Sequence, residues 1–97
     1  MNMQNLMAQA RKIQSEMERL TQAIESKEFT SSTEAITVVA NGKNEILKIE
    51  IKDESILSAK EITEDMLTVA VNDVLNQIKK EKNDKLGKYT GGMGGLF

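Results

Sequence analysis

The sequence contains no cysteine, histidine, proline or tryptophan, and its only aromatic residues are Phe29, Tyr89 and Phe97. Without cysteine and histidine, disulfides and thiolate or imidazole metal sites are excluded, as are catalytic groups built on those side chains. The scarcity of aromatic rings also argues against a protein that binds single-stranded nucleic acid, because such proteins stack bases on aromatic side chains. We therefore expect no enzyme activity, no metal, no cofactor and no small-molecule substrate.

Long apolar runs are also missing from the chain. No segment approaches the roughly 18 residues that a membrane span requires, and the N-terminus lacks the basic start and continuous apolar stretch of a signal peptide. These absences predict a cytoplasmic protein with no membrane partner. A length of 97 residues corresponds to one small domain, for which self-association can supply further stability.

The clearest pattern in the chain is a heptad repeat near the N-terminus, which predicts a helix over residues 2–24. Its apolar residues recur at alternating gaps of three and four: Met3, Leu6, Ala10, Ile13, Met17, Leu20 and Ile24. This spacing keeps one apolar seam facing a partner helix, as in a coiled coil. Because the residues between are polar, the rest of the chain must supply what the seam packs on.

Three β-prone segments follow, and together they predict an antiparallel meander. The predicted strands are residues 29–33 at an edge, residues 34–40 and residues 45–52. Between the last two, Asn41-Gly42 predicts a type I′ turn, in which both central residues have positive φ. On the third strand, Leu47, Ile49 and Ile51 alternate with charged residues, and this alternation predicts one apolar face and one solvated face.

A second long helix is predicted after the strands, with Thr63 as its N-cap. Its apolar stripe consists of Leu67, Val71, Val74 and Ile78. Beyond Ile78 the stripe nearly disappears, so we expect the helix to project past the core and to end near Lys85 or Gly87. The connector before this helix is predicted to form one helical turn at Ile56-Leu57.

The predicted fold is therefore α+β, in the order helix, three-stranded antiparallel meander and long helix. It forms one domain at residues 1–90, followed by a flexible glycine-rich tail at residues 91–97. At about 1.5 Å per residue the first helix is roughly 34 Å long, whereas a seven-residue strand spans about 23 Å. Because the apolar seam runs nearly the whole helix, it overhangs the sheet, and a homodimer is predicted to cover the excess.

Charge is unevenly distributed, with an acidic middle between two basic ends. The net charge is −2, yet residues 25–65 contain ten acidic residues and five lysines. The end of the second helix carries a cluster of lysines: Lys79, Lys80, Lys82, Lys85 and Lys88. These lysines could neutralise the phosphates of duplex DNA without reading bases, or they could be an ordinary solvated helix face.

The first helix contributes a second group of basic residues, Arg11, Lys12 and Arg19. Arg11 and Lys12 lie outside the apolar seam and could extend a basic surface. They could equally pair with Glu16 or Glu18 at helical spacing, which contributes about 0.2–0.5 kcal/mol per pair.

Several segments together resemble the YbaB/EbfC family of bacterial nucleoid-associated proteins. The similar segments are residues 1–10, residues 38–51, Asn72-Asp73 and residues 85–93, and their order and spacing agree over essentially the whole chain. The resemblance implies an intertwined homodimer whose sheets join and whose helices project as arms. It also implies binding to double-stranded DNA with little sequence specificity, a location in the nucleoid, and an effect on nucleoid organisation and gene expression.

The residues expected to bind DNA are the basic side chains on the two helices: Lys79, Lys80, Lys82, Lys85, Lys88, Arg11, Lys12 and Arg19. The alternative function is a protein-interaction module. In that case a coiled-coil-like dimer would use its helices or the Leu96-Phe97 end to bind another protein.

Overall fold

The computed structural model describes residues 2–90 and contains two long helices and one small sheet. The elements are α1 (Met3–Ser26), β1 (Glu28–Ser32), β2 (Ile36–Asn41), β3 (Ile46–Ile51), a 3₁₀ turn (Glu54–Ser58) and α2 (Lys60–Thr90). The predicted order of helix, antiparallel meander and long helix is confirmed, as is the predicted helical turn in the connector. The predicted tail at residues 91–97 lies outside the described residues.

Helix α1 begins at Met3 because Asn2 caps it, its side-chain oxygen accepting the Asn5 N–H at 2.8 Å. The helix has few contacts with the rest of the chain. Of its residues only Ile24 is buried, whereas Met3 is 74% exposed. The apolar seam therefore rests on the molecule only at its C-terminal end, and the overhang predicted from the helix length is confirmed.

The sheet has the strand order β1-β2-β3, with both pairs antiparallel, so β1 and β3 are its edges. Alternate residues of the central strand are fully buried beneath α2: Ile36, Val38 and Ala40. At the β1 edge, Gln77 of α2 donates its side-chain amide to the Thr30 carbonyl oxygen at 3.0 Å. Helix α2 thus covers the β1 side of the sheet as well as its centre.

The pairing of β2 with β3 contains a β-bulge. Val38 lies opposite Ile49, but Ala40 lies opposite Ile46, so Leu47 is the extra residue. Because directly opposite residues share a face, Ile46 and Ile49 lie on the face that α2 covers elsewhere. The prediction of strict alternation along this strand is therefore wrong at the bulge, where the inserted residue brings Ile46 to the same face as Ile49.

The turn between β2 and β3 differs from the predicted type I′ turn. Asn41 is the last residue of β2; its carbonyl accepts the Asn44 N–H, and its own N–H donates to the Glu45 carbonyl, both at 3.0 Å. Among the described non-glycine residues, Asn44 has a positive φ, 64°. This conformation is typical of three-residue hairpin turns that end in a left-handed residue. Gly42 serves a different purpose, because a Cβ there would lie 1.9 Å from the Ile24 carbonyl oxygen.

Helix α2 begins four residues earlier than predicted, at Lys60. The 3₁₀ turn leads directly into it, and the Ala59 carbonyl accepts the Thr63 N–H at 3.0 Å as in a helix. Thr63 is therefore inside the helix, where its hydroxyl donates to the carbonyls of Ile56 and Ala59. The predicted N-cap at Thr63 is wrong because its N–H already donates to the Ala59 carbonyl within a helix that starts directly after the 3₁₀ turn.

Helix α2 also continues further than predicted, to Thr90 instead of Lys85 or Gly87. Its last turns remain helical because Leu86 and Tyr89 pack with the hydrophobic core, where Leu86 is only 3% exposed. The molecule is consequently elongated, with a radius of gyration of 18.8 Å, whereas a compact chain of this length is expected near about 12–13 Å. Within residues 2–90, neither helix has the combined length and apolarity needed to cross a membrane.

Substituting Gly42 tests its close approach to α1. Gly42→Ala is expected to lower the free energy of unfolding by about 1–3 kcal/mol, because the added methyl group overlaps the backbone of Ile24 and Glu25. Gly87→Ala is the matched control, since a Cβ there meets nothing within 4 Å. It is expected to stabilise the helix by about 0.5–1 kcal/mol. Urea unfolding measures both, and equal effects would contradict the close approach at Gly42.

Candidate nucleic-acid interface

The predicted basic residues lie on a two-helix arm, which we define as α1 with its C-cap Lys27 and residues 79–90 of α2. The helices run antiparallel: Ile24 lines the same crevice as Lys85, and the Tyr89 hydroxyl donates to a Glu16 carboxylate oxygen at 2.9 Å. From Glu16 to Met3, α1 continues for about 20 Å past this contact. The outer part of the arm is therefore formed by α1.

The five lysines of α2 lie on the arm but do not share one face. At about 100° per residue their positions are distributed around the helix axis. Lys80 lines a crevice with Phe29 of β1, whereas Lys85 lies beside Leu20 of α1. Lys82 is half-buried, and the other four lysines are exposed. The structure thus gathers these lysines on one projection and distributes them around it.

Arg11, Lys12 and Arg19 are exposed on α1 and extend the basic surface along the arm. Arg11 and Lys12 lie one to two turns beyond the contact between Tyr89 and Glu16, so basic side chains occupy about 20 Å of the arm's length. In the described part of the chain none of the three forms an ion pair. The alternative in which Arg11 and Lys12 pair with nearby glutamates is therefore not observed.

Two carboxylates of the arm are already bound by other side chains. Glu81 accepts from the Lys27 ammonium at 2.8 Å, and Glu16 accepts from the Tyr89 hydroxyl. By contrast, none of the five α2 lysines has an ion pair or a hydrogen bond from its ammonium group within residues 2–90, although the Lys88 ammonium lies over the Tyr89 ring. The arm therefore leaves ammonium groups available to a ligand while two of its carboxylates are occupied.

The environment of Glu81 keeps it ionised. The pKa of its carboxyl lies below the ordinary value because Lys27 donates a hydrogen bond to it; partial burial opposes this effect, and the charges of Lys27 and Lys85 add to it. Sequence reasoning missed Lys27 and Glu81 as site residues. The two are separated by 54 positions, and Glu16 and Tyr89 by 73, so no local pattern could have joined them.

The fold and the arm define a class of protein: a small α+β protein whose sheet carries a basic projection of two helices, suited to a polyanionic ligand. The sequence matches the model of the YbaB/EbfC DNA-binding family over residues 1–93. The chain belongs to this family. The resemblance inferred from the sequence is thereby confirmed.

Bacterial relatives support the same assignment. The chain is 42% identical over 101 residues to a nucleoid-associated protein of Clostridium kluyveri, with 99% of this chain and 89% of the relative covered. It is 44% identical over 100 residues to one of Clostridium botulinum, with 99% and 88% covered. A crystal structure of an uncharacterised Helicobacter pylori protein, 22% identical, has the same fold with a TM-score of 0.77, covering 94% of this chain and 99% of that one.

Tyr89→Phe tests whether the hydroxyl holds the end of α2 against α1. The Lys88 ammonium lies 4.9 Å from the centroid of the Tyr89 ring, and phenylalanine preserves this contact while removing the hydrogen bond to Glu16. Loss of the bond is expected to cost about 1 kcal/mol. Hydrogen exchange should show faster exchange in the last turn of α2. Glu18→Gln is the control, and unchanged exchange in Tyr89→Phe would contradict the role of the hydroxyl.

Proposed function

We propose that this protein binds double-stranded DNA as a homodimer through the basic residues of its arms, mainly by contacts with phosphates and with little sequence specificity. It acts in the cytoplasm at the nucleoid and affects nucleoid organisation and gene expression. Membership of a DNA-binding family and the names of the relatives support this proposal.

The observation that carries the proposal is the charge pattern of the arm. The five α2 lysines form no ion pair within residues 2–90, whereas Glu16 and Glu81 are engaged by Tyr89 and Lys27. In addition, residues 3–15 of α1 contain no acidic residue, so their only side-chain charges are those of Arg11 and Lys12. A long positive projection of this kind attracts the phosphate backbone of DNA and releases its counterions.

Low sequence specificity follows from the residue types. Most of the proposed binding residues are lysines, which contact phosphates as flexible point charges. Contacts with phosphates hold a protein on the duplex but carry no sequence information. The five α2 lysines also point in different directions, so they cannot all enter one groove and contact base edges.

The uncovered apolar face of β3 supports the homodimer. Helix α2 packs over β1 and β2, whereas Ile46 is 39% exposed and Ile49 is 49% exposed on the face that continues the core. The bulged residue Leu47 is 50% exposed beside them. Contact with β3 of a second copy would remove this apolar surface from water. Two copies would also bring two basic arms to one DNA molecule.

Ile49→Lys is expected to separate the dimer into monomers. The substitution removes about 2 kcal/mol of favourable apolar burial from each copy. In a two-fold interface this loss of association free energy occurs twice. The dissociation constant should therefore rise at least about 100-fold. Light scattering on eluted fractions measures the mass. Lys48→Gln, on the opposite face of the same strand, is the control and should stay dimeric; a wild-type monomer would contradict the proposed interface.

Replacing arm lysines tests the DNA contacts. The triple variant Lys79→Gln, Lys80→Gln and Lys88→Gln is expected to bind duplex DNA at least about tenfold more weakly at about 0.1 M salt. The plot of log affinity against log salt should become shallower by about 0.9 for each phosphate that the variant no longer neutralises. Fluorescence anisotropy of a labelled duplex, measured across a salt series, gives both quantities.

The matched control removes the same charge from outside the arm, in the triple variant Lys48→Gln, Lys52→Gln and Lys60→Gln. It should keep nearly the wild-type affinity and slope. Equal reductions in affinity for the two triple variants would mean that net charge, and not the arm, governs binding. Wild-type affinity that is insensitive to salt, or no binding at low salt, would refute the proposed function.

A second candidate function is supported by the apolar surface at the outer end of α1. Met3, Leu6 and Ile13 lie on the heptad seam, yet they are 74%, 44% and 47% exposed. A helix of a protein partner could pack on this stripe, as in a protein-interaction module. The substitutions Leu6→Gln and Ile13→Gln separate the two functions, because they should abolish partner binding and leave the salt-dependent affinity for DNA unchanged.

A further inference from the structure

Lys27 and Glu81 form an ion pair that joins the end of α1 to α2. The Lys27 ammonium lies 2.8 Å from a Glu81 carboxylate oxygen and 5.2 Å from the centroid of the Phe29 ring. Because Phe29 is itself buried in the core, its ring provides a fixed second contact for the ammonium. Lys27 is therefore held against Glu81 from two sides, although its side chain is 52% exposed.

Glu81 lies within the lysine-rich part of α2. Lys80 and Lys82 flank it in the sequence, and Lys85 lies one helical turn further on. A carboxylate at this position repels a phosphate that approaches the neighbouring lysines. Salt does not remove this repulsion at short range, because the Debye length is about 8 Å at physiological ionic strength. An unpaired Glu81 would therefore oppose the binding of DNA to the arm.

Stability alone gives a weak reason for the ion pair. Pairs with one half-exposed partner contribute little to the free energy of folding. The junction between α1 and α2 is also held by buried apolar side chains, Ile24 and Leu86 among them. The main consequence of the pair is thus electrostatic: Lys27, which belongs to neither group of predicted DNA-binding residues, cancels a negative charge among those residues.

We propose that Lys27 masks the Glu81 carboxylate from DNA phosphates, so that it promotes binding through Glu81 without contacting DNA itself. The inference rests on the proposed DNA-binding function. Removing Lys27 exposes one negative charge on each arm, and removing Glu81 frees one positive charge. The two substitutions therefore have opposite effects on affinity, and removing both charges returns the arm to its original local charge.

The test compares wild type, Lys27→Gln, Glu81→Gln and the double variant by anisotropy with a labelled duplex. Lys27→Gln is expected to weaken binding about fivefold and Glu81→Gln to tighten it about fivefold, because two arms each change by one charge. The double variant should bind within about twofold of wild type. Lys60→Gln and Glu34→Gln make the same changes in net charge outside the arm and should have little effect.

The outcomes distinguish masking from other roles. Weaker binding by Glu81→Gln would mean that the ion pair holds the shape of the arm, and this would overturn the inference. A double variant as weak as Lys27→Gln would make Lys27 a direct phosphate contact and would overturn it as well. Wild-type protein that does not bind duplex DNA would refute the proposed function itself, before any variant is compared.

Discussion

The arm depends on the close approach between the turn that follows β2 and the end of α1. The Ile24 carbonyl oxygen occupies the space that a side chain at Gly42 would need. Ile24 is buried at this point, and Lys27 has the extended backbone that directs the chain into β1. The position of α1 relative to the sheet is thereby fixed. Helix α2, anchored on the sheet through residues such as Ile78, then passes alongside α1, so basic residues from distant parts of the sequence meet on one projection.

This arrangement separates the charges of the molecule in space. Most of the acidic residues belong to the sheet, its connections and the first turns of α2, whereas the arm is rich in lysine and arginine. A net charge of −2 is therefore a poor guide to what the protein attracts, because the local potential governs the approach of a ligand. The carboxylates that remain on the arm do not all act as free negative charges. Glu16 accepts a hydrogen bond from Tyr89 of α2, and Glu81 pairs with Lys27 at the end of α1. These contacts hold the two helices together and also weaken the electric field of the two carboxylates.

Much of the fold could be predicted from the sequence, because both helices and the strands follow long, regular apolar patterns. The errors lie where contacts between distant residues override a local preference. Thr63 has the side chain of a good N-cap, but the preceding 3₁₀ turn starts α2 earlier. Gly42 provides the space that α1 needs instead of forming a type I′ turn, and a bulge interrupts the alternation predicted for the third strand. The lysines and arginines of the candidate site were recognisable from composition. The ion pair between Lys27 and Glu81 was not, because it depends on how the two helices align.

The two edges of the sheet differ in a way that limits how the molecule can assemble. At β1, Gln77 of α2 bonds the Thr30 carbonyl and thus occupies an outward-facing acceptor of that edge. At β3 the apolar side chains are open to solvent. A sheet with two open edges can add further strands without end, which leads to fibres and aggregates. A sheet with one obstructed edge has a single direction in which to grow, and association of two such edges about a two-fold axis closes the assembly at a pair. In the proposed homodimer, one glutamine side chain would thus help to keep the assembly finite.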